Sequence, residues 1–236
     1  MVSVCMATYN GGRFLKEQID SILSQLSIND ELIVSDDGST DDTISILKSY
    51  NDSRIKIYYN LGRQGCNANF ENALKHAIGD YIFLSDQDDV WVEGKVNKCL
   101  EILQSVDLVV HDCFVVDSNL KIIEQSFFKR RKSKSGLIHN LICNSYVGAC
   151  MAFKKSVLLY SLPIPPSLLI YHDGWIASLV DCLGKISYVD IPLIYYRRHN
   201  LNTSQTARKS KFSKIHQLKY RLQWFFLLIG RMIKVK

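Results

Sequence analysis

The chain has 236 residues, 47% hydrophobic and 22% charged, with twelve glycines and four prolines. That length and balance suit one substantial core and exclude a linker-rich or disordered chain. The formal net charge of +6 is unevenly spread: from Arg208 to Lys236 there are nine Lys or Arg and no acid, so the +6 divides into +9 there and −3 over residues 1–207.

No apolar run approaches the roughly 20 residues needed to span a bilayer. The start, "MVSVCMATYN", lacks the basic-then-apolar pattern of a secretory signal. Seven cysteines (Cys5, Cys66, Cys99, Cys113, Cys143, Cys150 and Cys182) are odd in number and scattered without a CxxC. They read as reduced, partly buried thiols of a cytosolic protein.

In chain order, "VSVCMA" (2–7) reads as a buried strand followed by turn chemistry at "NGG". "RFLKEQIDSILSQL" has apolar residues at 14, 15, 19, 22, 23 and 26, which is helical spacing. A second strand at 31–36 leads into a helix with Asp41 as its N-cap. A third strand at 54–59 precedes a helix over 67–78, and "YIFLSD" precedes a helix in "VEGKVNKCLEIL". Strands alternating with helices imply parallel, right-handed βαβ units, which bind ligands beyond the carboxyl ends of their strands. "TYN" (8–10), "DDGST" (36–40) and "DQDD" (86–89) each follow a strand, so they are expected along one rim. The second half predicts one or two strands in "VDLVVHDCFVVD" with a break near His111–Asp112, a strand in "SYVGACMAF", a helix in "WIASLVDCL" and a strand pair in "KISYVDIPLIYYRRH". "FKRRKSKSG" (128–136) reads as a mobile loop.

Four clusters carry chemistry, each with a structural alternative. Asp36, Asp37 and Asp41 either cap a helix or accept the imide N–H of a pyrimidine base. A calcium loop fails, because the twelfth position from Asp36 is Leu47 rather than a bidentate Glu. In "DQDD", capping explains one aspartate of three, whereas Mg²⁺ or Mn²⁺ held by one or two carboxylates and substrate phosphates explains the cluster. In "HDGW" (172–175), Asp173 caps a helix, accepts a proton, or does both. In "YYRRH", Arg197, Arg198 and His199 are exposed cations or approach a diphosphate.

The ordered set "VSVCMATYNGGRFLKEQIDSILSQ", "ELIVSDDGSTDDT", "NLGRQGCNANFENAL", "GDYIFLSDQDDVW", "HDGW" and "YYRRHNLNTS" resembles the inverting family 2 glycosyltransferases, which have the α/β GT-A fold. The likeness covers residues 2 to about 205, and the form "SDQDDVW" is especially similar to bacterial polysaccharide-assembly transferases, including rhamnosyltransferases. It implies a catalytic domain over 1–205 and a basic amphipathic tail over 206–236. It places Thr8, Tyr9, Asn10, Asp36, Asp37, Asn69 and Asp86 at the nucleotide. Asp88, Asp86 and His199 fall at a Mn²⁺ or Mg²⁺ ion. Gly148 and Ala149, on a small-residue strand, fall at the donor sugar with His172 and Trp175 on the donor–acceptor side, and Asp173 is the base. The chain departs from the pattern at His172, where many relatives carry Glu, and it lacks the Q-x-x-R-W of processive members. The resemblance implies transfer from a UDP- or dTDP-sugar to a glycan or lipid-linked acceptor, at the cytoplasmic side of bacterial cell-surface polysaccharide synthesis. A nucleotidyltransferase and a non-catalytic nucleotide-sugar-binding protein are the rival readings. The tail reads either as a packed helix or as a basic amphipathic helix on an anionic membrane. No nucleic-acid partner is expected, because the body is acidic.

Overall fold

The computed structural model describes residues 1–142, 146–199 and 213–235. In its first half, β1 (Val2–Thr8), α1 (Gly12–Leu23), β2 (Glu31–Asp36), α2 (Thr43–Ser49), β3 (Ile55–Tyr59), α3 (Cys66–His76) and β4 (Tyr81–Ser85) alternate as the sequence predicts. The strands pair in parallel in the order β3-β2-β1-β4, with Thr8 level with Asp36. Every residue of β2 and all but one of β1 are buried, as strands covered on both faces require. Helix α1 buries Phe14, Leu15, Gln18, Ile19 and Ile22 on one face.

The chain continues through β5 (Val90–Trp91), α4 (Lys95–Leu103), β6 (Leu108–Val116), β7 (Ile122–Glu124), α5 (Phe127–Arg131), α6 (Leu137–Ile142), β8 (Met151–Lys154), α7 (Leu158–Ser161), α8 (His172–Leu183), β9 (Ile186–Arg197) and α9 (Lys214–Val235). Strand β8 lies antiparallel between β4 and β6, and β9 runs parallel to β6 and antiparallel to β5. The result is a mixed, mostly parallel sheet flanked by helices.

The second half differs from expectation in four places. Strand β6 is continuous, and the break expected at His111–Asp112 is a register shift against β9, where partners jump from Val189 to Pro192. The same jump makes residues 186–197 one bent strand rather than two. Residues 148–150 form a 3₁₀ turn, and only from Met151 does the chain become a strand. Residues 127–131 are helical rather than a loop: Phe127 and Phe128 are buried, and Asp112 accepts the Phe128 N–H at 2.9 Å. The six cysteines among the described residues are free thiols, and Cys143 lies outside them.

Helix α9 joins the same core as the sheet, burying Trp224 and Leu228. The packed-helix reading of the tail therefore holds for one face of that helix.

Candidate active site

The carboxyl ends of β1, β2 and β4 and the amino ends of α3 and α8 share one rim. Asn67 at the start of α3 joins that helix to the loop entering α8, accepting the His172 N–H at 2.7 Å and donating to Ile170 O at 2.9 Å.

At the β1–β2 corner, Thr8 Oγ1 donates to Asp36 Oδ1 at 2.9 Å. Asn69 spans both strands: Nδ2 donates to Thr8 O at 3.0 Å and Oδ1 accepts from Ser35 Oγ at 2.6 Å. Asp36 also accepts the N–H groups of Gly38 and Ser39 and the Ser39 hydroxyl. Thr8, Asp36 and Asn69 are buried. Both Asp36 oxygens accept from protein donors and Asn69 ties the two strands together, so these side chains shape the corner from inside. Asp37 remains half-buried. Its Oδ1 accepts Asn60 Nδ2 at 2.7 Å and its Oδ2 the Gly65 N–H at 2.8 Å. Each oxygen has lone-pair capacity left for the edge of a base.

Tyr9 is exposed, and its backbone is gripped by a residue that sequence reasoning missed. Gln87 Oε1 accepts the Tyr9 N–H at 2.8 Å and Gln87 Nε2 donates to Tyr9 O at 3.1 Å. A Cβ on Gly11 would lie 2.2 Å from Gln87 Oε1, so this clamp needs glycine there. Asn10 has a positive φ of 48°, and its side chain accepts the Thr40 N–H at 2.8 Å. Asp41, expected as the N-cap of α2, instead lies one residue before the cap position and accepts the Thr43 N–H at 3.0 Å.

The acid loop leaves β4 directly over α1, where Gln18 Nε2 donates to Ser85 Oγ at 2.7 Å and to Asp86 O at 2.9 Å. Its three aspartates have separate environments. Asp88 pairs with His199, Nε2 to Oδ2 at 2.8 Å, both largely shielded from solvent. Asp89 is buried, accepting the Arg197 N–H at 2.9 Å through Oδ1. Burial and the neighbouring Asp88 and Asp86 hold its pKa well above the usual carboxylate range. Burial first, then Asp88 and Asp173, push Asp86 up to about 7. The like-charge cluster is thus tolerated in part by keeping carboxyls protonated.

Two buried cations support this loop, and neither was legible as such. Arg197 is 1% exposed; Nε donates to Asp88 O at 2.7 Å, the other nitrogens reach Ser118 O and Glu17, and the guanidinium lies 4.4 Å over the Phe14 ring. It is a buried strut for the loop rather than an exposed cation. Lys95 is buried, donating to Ala149 O at 2.8 Å from a position 4.1 Å over the Trp91 ring. Burial lowers its pKa to about 8.

At the start of α8 the cap position is Tyr171, so Asp173 sits in the first turn and is not the N-cap. Its Oδ2 accepts the Gly148 N–H at 3.0 Å and its Oδ1 the Gly174 N–H at 2.6 Å. Burial raises its pKa to about 6 against those two bonds. His172 is 4% exposed and stacked on Phe70 at 3.8 Å, and burial drives its pKa down to about 3, so it is neutral. A Cβ on Gly148 would lie 3.0 Å from His172 Nε2, which is why a residue without a side chain suits that turn. Trp175 is fully buried with Nε1 donating to Ser161 O at 2.8 Å, packed in the core behind the site. A cavity of about 350 Å³ opens between the starts of α3 and α8, lined by Arg63, Cys66, Pro165, Leu168, Ile170 and Tyr171 among others.

Among the described residues no three His, Cys, Asp or Glu side chains converge as a self-sufficient metal cage. Asp88 is the kind of carboxylate through which Mg²⁺ or Mn²⁺ is held when substrate phosphates supply the remaining oxygens, and in this structure its Oδ2 is engaged by His199 Nε2.

The mixed, mostly parallel sheet flanked by helices is the α/β GT-A fold, and Asp37, the acid loop with His199, and Asp173 lie along its rim. The profile described as "Glycosyl transferase family 2" matches residues 3–159, and the chain belongs to that family. It is 35% identical over 212 residues to the Escherichia coli UDP-Glc:alpha-D-GlcNAc-diphosphoundecaprenol beta-1,3-glucosyltransferase WfgD, covering 89% of this chain and 81% of that one. Staphylococcus aureus TarS 1–349 in complex with UDP-GlcNAc has a similar fold, with a TM-score of 0.69 and 18% identity, over 95% of this chain and 71% of the other. The mannosyltransferase PcManGT of Pyrobaculum calidifontis, in complex with GDP-Man and Mn²⁺, aligns with a TM-score of 0.62 and 18% identity, over 99% of this chain and 64% of that one.

Proposed function

We propose that the protein transfers a sugar from a UDP- or dTDP-sugar to a hydroxyl of a lipid-linked saccharide, by single displacement with inversion. The observation that carries this reading is Asp173, whose carboxylate is fixed by the Gly148 N–H beside the acid loop and whose pKa is raised to about 6. A base of that strength is ionised at neutral pH and still attracts a proton as the acceptor oxygen attacks. The WfgD name supports a diphosphate-lipid acceptor and gives UDP-glucose as that enzyme's donor rather than a rhamnosyl one.

In this reading residues 1–205 perform the chemistry. Asp37 accepts from the base and the Tyr9 segment borders it, held in place by Gln87. Asp173 takes the acceptor proton; such positioned base catalysis is worth roughly 10²–10⁴-fold. Asp88 and His199 would hold Mn²⁺ or Mg²⁺, which supplies charge neutralisation for the departing diphosphate. Arg197 keeps the acid loop in register beneath that site.

The test is Asp173→Asn, assayed for transfer to a diphosphate-lipid saccharide and for UDP binding by calorimetry. Transfer should fall at least a hundredfold with binding retained. Near-wild-type turnover in the variant rules out Asp173 as the base.

A further inference from the structure

The outward face of α9 is a second feature of the molecule that the chemistry does not use. At 100° per residue, Leu218, Leu222, Phe225, Phe226, Ile229 and Ile233 fall within a stripe about 100° wide. All six are exposed, with Leu218 at 57%, Phe226 at 65% and Ile233 at 72%. The packed side lies elsewhere on the helix, where Trp224 and Leu228 are each 1% exposed. Polar bonds hold that side to the loop before α8: Arg231 Nη1 donates to Tyr160 O and Leu162 O, both at 2.9 Å, and Gln223 Nε2 to Ser167 O at 2.8 Å. The stripe is therefore presented outward by a helix fixed in orientation, and it would be costly to leave in water.

Charge identifies what covers it. Lys219 flanks one edge of the stripe, Arg221 the other, and Lys234 lies beyond Lys219; residues 208–236 contain no acid. A second copy packed on the same face would bring these cations together with no carboxylate on the helix to pair them. An anionic lipid surface satisfies both the apolar stripe and the charges on its margins. The helix is not long and apolar enough to cross a bilayer, which leaves only a surface orientation for any contact with lipid. We propose that α9 is a peripheral membrane anchor, binding anionic phospholipid with the Leu218–Ile233 stripe down. The loop it holds, residues 160–168, forms part of the cavity wall at Pro165 and Leu168. The anchor thus sets that cavity at a fixed height above the lipid surface. This inference does not depend on the identity of the donor sugar.

The experiment is co-sedimentation of the full chain with phosphatidylglycerol–phosphatidylcholine vesicles, against phosphatidylcholine alone. Wild type should pellet with the anionic vesicles and be released by salt. Phe226→Ser/Ile233→Ser, on exposed positions, should lower the partition coefficient about tenfold or more, with an unchanged melting curve and unchanged UDP binding. Lys219→Gln/Lys234→Gln, which leaves the apolar stripe intact, should lower it only for anionic vesicles. Equal partitioning of wild type and both variants overturns the proposal. So does a concentration-dependent dimer, seen without lipid by sedimentation velocity and abolished by Phe226→Ser/Ile233→Ser. Loss of UDP binding with vesicle binding intact would count against the transferase reading and leave the anchor standing.

Discussion

Replacing Asp86 with Asn should stabilise the free protein, and more at pH 8 than at pH 5. The folded chain lifts the Asp86 pKa from the ordinary 3.8 to about 7, through burial first and then Asp88 and Asp173. A carboxyl raised in the folded state favours folding while protonated, below the unfolded pKa of 3.8, and loses that contribution as pH rises through about 7. At 1.36 kcal/mol per pKa unit the full gap is about 4 kcal/mol. About three fifths of the loss accrues between pH 5 and pH 8. Urea unfolding followed by tryptophan fluorescence, for wild type and variant at both pH values, measures it. The variant should gain about 4 kcal/mol at pH 8 and about two fifths of that at pH 5. A stability difference that is the same at both pH values, or a destabilised variant at pH 8, refutes the electrostatic account of the acid loop.

Arg197→Met removes the guanidinium from Asp88 O and Ser118 O; leaving two part-buried carbonyls without their donor should cost about 2–4 kcal/mol by denaturant unfolding, and a loss under about 1 kcal/mol would deny the strut. Gly11→Ala should displace the Gln87 side chain, so its effect on UDP affinity and that of Gln87→Ala should fail to add in a double-mutant cycle; full additivity would mean the clamp on Tyr9 is not the shared element. The acid limb of the kcat/KM profile should fall below an apparent pKa of about 6, because Asp173 must be ionised to accept a proton; a flat profile from pH 5 to pH 8 contradicts that role.

The first half of the fold was legible because buried parallel strands leave apolar runs and their connecting helices leave a 3.6-residue period. The same pattern placed "TYN", "DDGST" and "DQDD" on one rim. Periodicity cannot distinguish a strand bent by a register shift from two strands, which is where 186–197 was misread. Motif residues state which polar atoms exist but not which are already satisfied. Asp36 and Asn69 have the right chemistry for a nucleotide, and both also bond Thr8, Ser35 or Ser39 inside the corner. Trp175 sits one helical step from the site residues and faces the core. Arg197 meets Asp88 and Asp89 across more than a hundred residues, because β9 pairs with β5 immediately after the acid loop; no local signal records that meeting. Gln87, between two aspartates, was legible as part of the loop but not as the clamp on Tyr9.

The central claim is that the Asp88–His199 pair and Asp173 flank one sugar donor. Anomalous diffraction from crystals soaked with a UDP-sugar and Mn²⁺ tests it most directly. The account predicts the manganese peak on Asp88 and His199, with the donor's anomeric carbon between that ion and the Asp173 carboxylate. A peak bound elsewhere, or an anomeric carbon turned away from Asp173, contradicts it.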